Sequence, residues 1–117
     1  GGMVSTVGDY GKFGQMLLNG GELNGNRVLE ESTVELITSN QMLPPATFEN
    51  GNGYGLGGFV DLESGAYGWS GMASTDFLLD IENNMVVLSF TQYFPNRGVP
   101  FAEVFKKYVN NAIVESN

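Results

Sequence analysis

The serines are the candidate nucleophiles of this chain, because it contains no cysteine and no histidine. A serine hydroxyl needs an adjacent base to attack an acyl carbon, and that base is commonly a histidine or the lysine of a Ser-x-x-Lys motif. Neither Ser-x-x-Lys nor Gly-x-Ser-x-Gly occurs around any of the serines tested, which are Ser5, Ser32, Ser39, Ser64, Ser70, Ser74 and Ser89. We therefore predict that this chain alone holds no activated serine.

Two pairs of acidic residues could serve as a general acid and base or hold a cation. Asp61 and Glu63 flank a turn, and Asp76 and Asp80 lie on one predicted strand. Acidic residues at strand ends are usually solvated, and no segment matches a calcium-binding loop, so we expect exposed carboxylates. The glycine-rich residues 51–58 lack the Gly-Lys-Ser/Thr ending of a phosphate-binding loop. The sequence thus predicts no metal and no other cofactor.

The elements that must position any site are a group of strands in the middle of the chain. Residues 76–81 and 85–91 are rich in Val, Leu, Ile and Phe, which suit packed strands, and Glu82-Asn83-Asn84 supplies a tight turn between them. A strand that begins near residue 66 precedes them, and residues 53–61 predict another. We expect an antiparallel meander of three to four strands within residues 53–94.

Helices are predicted at both ends of the chain. Thr6 and Asp9 form a capping box for a helix over residues 6–19, which Gly20-Gly21 ends. A second capping box, Ser32 with Glu35, begins a short helix that runs to about Ser39. A third helix spans residues 100–115, with Pro100 in its first turn. Its apolar stripe consists of Phe101, Val104, Phe105, Tyr108, Val109, Ala112 and Ile113.

This third helix separates two kinds of side chain. Lys106 and Lys107 fall on its polar side. Tyr108-Val109-Asn110 formally matches a Tyr-x-Asn motif, but the position of Tyr108 on the apolar stripe favours a packed core tyrosine.

The 117 residues fit a single α+β domain, with a helical and loop part over residues 1–52, the strands, and the last helix.

Composition excludes several partners. The net charge is −8 and the five cationic residues form no patch, which argues against nucleic acid and against an anionic membrane surface. The longest apolar run is far shorter than the ~20 residues of a membrane-spanning helix. The chain opens Gly1-Gly2-Met3 without the pattern of a signal peptide, which suggests a piece of something longer.

Several segments, in this order and spacing, resemble the serine hydrolases related to class C β-lactamases. These segments are Gly2-Met3-Val4-Ser5-Thr6, Asp9-Tyr10, Phe13, residues 16–21, residues 25–29, Ser32-Thr33-Val34, residues 53–57 and residues 67–72. The family also includes D-alanyl-D-alanine carboxypeptidases and β-lactamase-like esterases. The resemblance covers nearly the whole chain and implies a β-lactamase/transpeptidase-like fold.

The resemblance implies which residues would touch substrate. Trp69-Ser70-Gly71 matches the family's third motif, Lys-Thr-Gly in β-lactamases, on a strand that lines the active site. The residue after it is Met72, whose backbone N–H would donate to an oxyanion. Because Trp69 replaces the lysine that attracts a substrate carboxylate, an ester or another uncharged acyl group fits better. A second interpretation is that Trp69 only packs under the last helix.

The resemblance also implies what the chain lacks. The family's Ser-x-x-Lys and Tyr-x-Asn motifs lie upstream of the matched part. The resemblance therefore implies that the partner of this chain is the missing N-terminal portion of the same enzyme and that the isolated chain is inactive. The implied substrate of the whole enzyme is a small ester or amide. The resemblance favours a periplasmic or secreted bacterial protein, whereas the residues themselves indicate no compartment. The alternative is a non-catalytic binding or self-association module, in which another copy covers the apolar surface that a fragment would expose.

Overall fold

The structure is a computed structural model that describes residues 3–94 and 101–115. Its helices are α1 (Val7–Leu18), α2 (Glu31–Thr38) and α3 (Phe101–Glu115), and a short 3-10 turn covers Glu49–Gly51. Strands β1 (Glu22–Leu23) and β2 (Asn26–Arg27) form a small hairpin. The other strands are β3 (Gly53–Tyr54), β4 (Phe59–Val60), β5 (Tyr67–Gly71), β6 (Thr75–Asp80) and β7 (Met85–Ser89).

Strands β3 to β7 form one antiparallel sheet, and each strand pairs with the next in the chain. The predicted α+β class, an antiparallel meander between helices, is therefore confirmed. The sheet has five strands instead of three to four, because residues 53–61 are not one strand. They form the β3–β4 hairpin, in which Gly55 N–H donates to Gly58 O at 2.8 Å and Gly57 has a φ of +94°. The glycines there mark a turn, since a positive φ favours glycine.

The ends of α1 follow the prediction closely. The Thr6 hydroxyl accepts a hydrogen bond from Asp9 N–H at 3.1 Å, and Gly20 and Gly21, both with positive φ, end the helix. The Lys12 ammonium and the Thr6 hydroxyl, both bonded to the Asp9 carboxylate, lower the pKa of Asp9 below its ordinary value. The first capping box is thus confirmed.

The second capping box is wrong. The residue that caps α2 is Glu30, which makes no side-chain capping bond, and Ser32 lies inside the first turn. Leu29 N–H donates to Gly21 O at 3.1 Å, and this bond fixes the backbone just before the helix. The chain therefore enters α2 earlier than its serine predicts.

The sheet has helices on both faces. Side chains of Tyr67, Phe77 and Leu79 point to the face that we call the α1 face, where they form the buried core with residues of α1 and α2. Side chains that alternate with them, among them Asp76 and Val87, point to the opposite face, which we call the α3 face. The meander therefore separates one apolar core from a second, more polar layer.

Helix α3 is rotated relative to the prediction. Its bounds agree with the predicted 100–115, although Pro100 and the loop residues 95–99 lie outside the described residues. Lys106 points at the sheet, whereas Tyr108 is 70% exposed and is not the core tyrosine that we expected. A buried carboxylate on the α3 face accounts for this orientation: the Lys106 ammonium lies 2.8 Å from Asp76 Oδ2 and compensates its charge. Among the described helices, none is both long and apolar enough to cross a membrane.

Candidate functional site

The predicted site strand, β5, has an open edge. All five of its residues pair with β6, but β4 pairs only with Tyr67 and Gly68. In the part of the chain that the structure describes, Trp69, Ser70 and Gly71 therefore have no strand on their other side. Unpaired backbone groups at such an edge can bind an extended or acyl ligand.

Trp69 lies at the rim of the α1 face and is 45% exposed. Its ring contacts the rings of Phe48 and Tyr54, both at centroid distances of 6.1 Å, and those two rings lie 4.9 Å apart. This aromatic cluster holds the loop of residues 41–52 against β5. Packing under the last helix is thus not what orders Trp69, because its main ring partners come from the loop and β3.

Ser70 points to the opposite face and is bound within the protein. Its hydroxyl donates to Asp76 Oδ1 at 2.6 Å, and Asp76 Oδ2 lies 2.8 Å from Lys106 Nζ. Asp76 is only 4% exposed, so the expectation of a solvated carboxylate is wrong at this position. The reason is the register of the β5–β6 hairpin, which places Asp76 directly opposite Ser70.

Gly71 and Met72 lie where β5 enters its turn. A Cβ atom on Gly71 would collide with the Thr75 hydroxyl, so a larger residue at this position would have to displace that side chain. The Met72 side chain is 77% exposed, and its backbone N–H has no hydrogen-bond partner among the described residues. The role of this N–H as an oxyanion donor stays a prediction.

A cavity of about 570 Å³ opens beside the free edge, and we call it the Trp69 cavity. Its wall comes from three regions: the Phe48–Asn52 loop, the strands at Trp69, Ser70 and Asp76, and the first turns of α3. Its volume falls in the range of small-molecule sites. Among the side chains that the structure describes, no group of three or more acidic residues is placed to hold a metal ion.

Tyr67 anchors the first half of β5 to the core and to the neighbouring turn. Its hydroxyl donates to Leu56 O at 3.1 Å and its ring packs on Phe77. Burial in the core raises the pKa of Tyr67 above its ordinary value, and Tyr10 and Tyr54 add to this effect. The bond links β5 to the β3–β4 turn and fixes the first half of the open-edged strand.

Sequence reasoning considered Asp76 only as one of a pair of acidic residues with Asp80, and it missed the contacts of Asp76 with Ser70 and Lys106. The Ser70–Asp76 contact follows from a turn at residues 72–74, because that turn pairs residue 70 with residue 76. Lys106 gave no such signal, since its helical position appears polar and only the packed helix shows it facing the sheet.

Comparisons with known proteins agree with this architecture. Residues 1–108 match the protein-family model described as Beta-lactamase. The chain is also 28% identical, over 122 residues, to "Uncharacterized protein MT1414" of Mycobacterium tuberculosis (strain CDC 1551 / Oshkosh) and to "Protein Rv1367c" of Mycobacterium tuberculosis (strain ATCC 25618 / H37Rv). Each match covers 87% of this chain but 30% of the relative, so the chain spans less than a third of the length of these curated relatives.

Proposed function

Because the chain belongs to the Beta-lactamase family, we propose that it is the C-terminal part of a serine hydrolase and supplies one wall of the active site. The wall is the open edge of β5 at Trp69-Ser70-Gly71, and the Met72 N–H is one oxyanion donor. The reaction is acyl transfer from an ester or amide to a serine and then to water. The observation that carries the proposal is the absence of a strand partner beside Trp69, Ser70 and Gly71 in the described chain.

A backbone donor at Met72 would meet a requirement of acyl transfer. Negative charge develops on the acyl oxygen, and a fixed backbone donor stabilises it without reorganisation. Gly71 lets the substrate approach the strand closely. Loss of one oxyanion donor typically costs about 3–4 kcal/mol of transition-state stabilisation, so a substitution that moves the β5 turn should lower kcat strongly.

We favour an ester over a β-lactam or peptide carboxylate as the substrate. A lysine at position 69 would attract a carboxylate, whereas Trp69 presents an aromatic surface 45% open to solvent. Such a surface contacts an uncharged acyl or alcohol group with little desolvation cost.

The test uses the genomic reading frame upstream of Gly1. An in-frame Ser-x-x-Lys and a later Tyr-x-Asn or Tyr-x-Ser are expected, and the longer protein should hydrolyse p-nitrophenyl esters better than nitrocefin. Substitution of the Ser-x-x-Lys serine by alanine should abolish turnover, and the isolated chain should be inactive. Nucleophile-dependent turnover by the pure 117-residue chain, or a longer protein without esterase activity, would contradict the proposal.

A second candidate, a self-association module, is favoured by exposed apolar side chains. On α3 these are Phe101, Val104 and Tyr108, which are 44%, 46% and 70% exposed, and the described strands leave β7 unpaired on one edge. Such surfaces usually meet a partner. Sedimentation of the isolated chain distinguishes the two: a soluble monomer counts against the module, and a closed dimer together with a stop codon just upstream of Gly1 supports it.

A further inference from the structure

Asp76 binds two donors at the wall of the Trp69 cavity. The Ser70 hydroxyl occupies one carboxylate oxygen at 2.6 Å and the Lys106 ammonium the other at 2.8 Å. The Asp76 side chain is 5% exposed and the Lys106 side chain 29% exposed, so this contact is partly shielded from water. Both the hydroxyl proton of Ser70 and the charge of Lys106 are therefore directed at Asp76 and away from a ligand.

The charges around the cavity favour one sign of ligand. Lys106 is the only cationic side chain among the described residues that line it, while Glu49, Asp76 and Glu103 are acidic. Lys106 is already compensated by Asp76, and the described ion pairs include neither Glu49 nor Glu103. Among the described residues that line the cavity, a substrate carboxylate would therefore meet net negative charge and no unpaired cation.

The apolar part of the wall is aromatic. It contains Phe48, Phe59, Trp69 and Phe101. Aromatic faces attract organic cations through the ring quadrupole, and nearby acidic groups add to that attraction. The aromatic rings and the acidic groups therefore both favour a cationic ligand.

We infer that Asp76 is a specificity-determining residue: it withdraws Ser70 and Lys106 from the Trp69 cavity, which consequently binds a positively charged group in preference to a carboxylate. That the ligand is a substrate rests on the proposed function. The charge preference itself is a property of this chain and needs no nucleophile.

Trp69 is the only tryptophan in the chain, so its fluorescence reports on this cavity directly. Three probes share a phenyl ring and differ in charge: benzyltrimethylammonium, benzyl alcohol and phenylacetate. Titrated into the 117-residue chain, the cation should bind at least about tenfold more tightly than phenylacetate, with benzyl alcohol between them. Equal or tighter binding of phenylacetate, or no response to any probe, would overturn the inference.

Asp76→Asn tests the assigned residue. The amide has the same shape but releases the Lys106 charge, so phenylacetate affinity should rise by about tenfold or more. Adding Lys106→Met should abolish that gain. A merely structural role for Asp76 would change the affinities of all three probes together, and that result would contradict the assignment.

A surface variant keeps the inference testable if Asp76→Asn fails to fold. Glu103→Gln removes one exposed charge from the rim and should weaken benzyltrimethylammonium binding by roughly threefold, with benzyl alcohol unaffected. Unchanged binding of the cation would argue against an electrostatic preference. Activity of the longer reading frame is measured separately, so the hydrolase proposal and the charge preference can each fail alone.

Discussion

Gly14 of α1 lies directly on Val86 of β7, with no room between them for a methyl group. A Cβ atom built on Gly14 would come within 2.7 Å of Val86 Cγ1 and 2.9 Å of Phe77 Cε2. Both distances are shorter than van der Waals contact allows. Gly14 therefore sets how closely α1 approaches the sheet, and with it the position of the core residues Met16 and Leu17.

We expect Gly14→Ala to destabilise the protein. Alanine improves helix propensity by about 1 kcal/mol, but overpacking against buried strands typically costs about 1–3 kcal/mol, so the net change is a loss. Urea unfolding followed by circular dichroism measures it. A midpoint equal to or above that of the wild type would contradict close packing at this position.

Gly8→Ala is the matched control in the same helix. Its Cβ would meet only the Thr6 hydroxyl, at 4.0 Å. With that space available, the propensity gain is not offset, and stability should rise by up to about 1 kcal/mol. A gain in stability for Gly8→Ala together with a loss for Gly14→Ala would show that packing against the sheet, and not helix propensity, causes the loss.

Ser89 and Ser70 flank Asp76 on the α3 face and should respond differently to truncation. The Ser89 hydroxyl is buried and has no hydrogen-bond partner among the described residues, whereas Ser70 donates to Asp76. Ser89→Ala should be neutral or stabilising by up to about 1 kcal/mol, and Ser70→Ala should cost about 1.5–3 kcal/mol. The urea midpoints of the two variants provide the comparison, and a large loss at Ser89 would point to a partner for its hydroxyl.

The fold could be predicted where local chemistry decides it. The Thr6 cap, the Gly20-Gly21 stop and the Glu82-Asn83-Asn84 turn all depend on neighbouring residues, and all three occur in the structure. The sequence predicts one strand in place of the β3–β4 hairpin because the apolar residues alternate through the turn. The Ser32 capping box was wrong because a tertiary bond at Leu29 fixes the start of α2.

The site could be predicted only in part. Trp69, Ser70, Gly71 and Met72 came from a motif, and the structure places the first three on an open strand edge. The Asp76–Lys106 contact joins residues thirty positions apart in sequence, on a strand and a helix with no regular pairing rule. The rotation of α3 depends on which buried charge must be compensated, and the periodicity of the sequence alone cannot predict it.

Asp61 should make the turn after β4 sensitive to acid. Its Oδ1 accepts hydrogen bonds from Ser64 N–H at 2.8 Å and Glu63 N–H at 2.9 Å, and these bonds lower the pKa of Asp61. A lowered folded-state pKa contributes stability that is present above the unfolded value, about 3.9, and is lost as pH falls through the folded value. Asp61→Asn keeps an acceptor oxygen, so its urea midpoint should fall less in acid than that of the wild type. Parallel curves for the two proteins would contradict this role.

Tyr67 should make the core sensitive to alkali. Burial raises its pKa above 10.0, so its contribution to stability is complete below about pH 10 and is lost as pH rises through the folded-state value. Tyr67→Phe removes the hydrogen bond to Leu56 O and should cost about 1 kcal/mol at neutral pH. The difference in urea midpoint between wild type and Tyr67→Phe should then shrink in alkali, because only the wild type must keep this phenol protonated to stay folded. Tyr108→Phe, at a residue 70% exposed, is the control and should leave the midpoint unchanged at neutral pH. A Tyr67 difference that stays constant from neutral to alkaline pH would show that the buried phenol does not couple folding to proton binding.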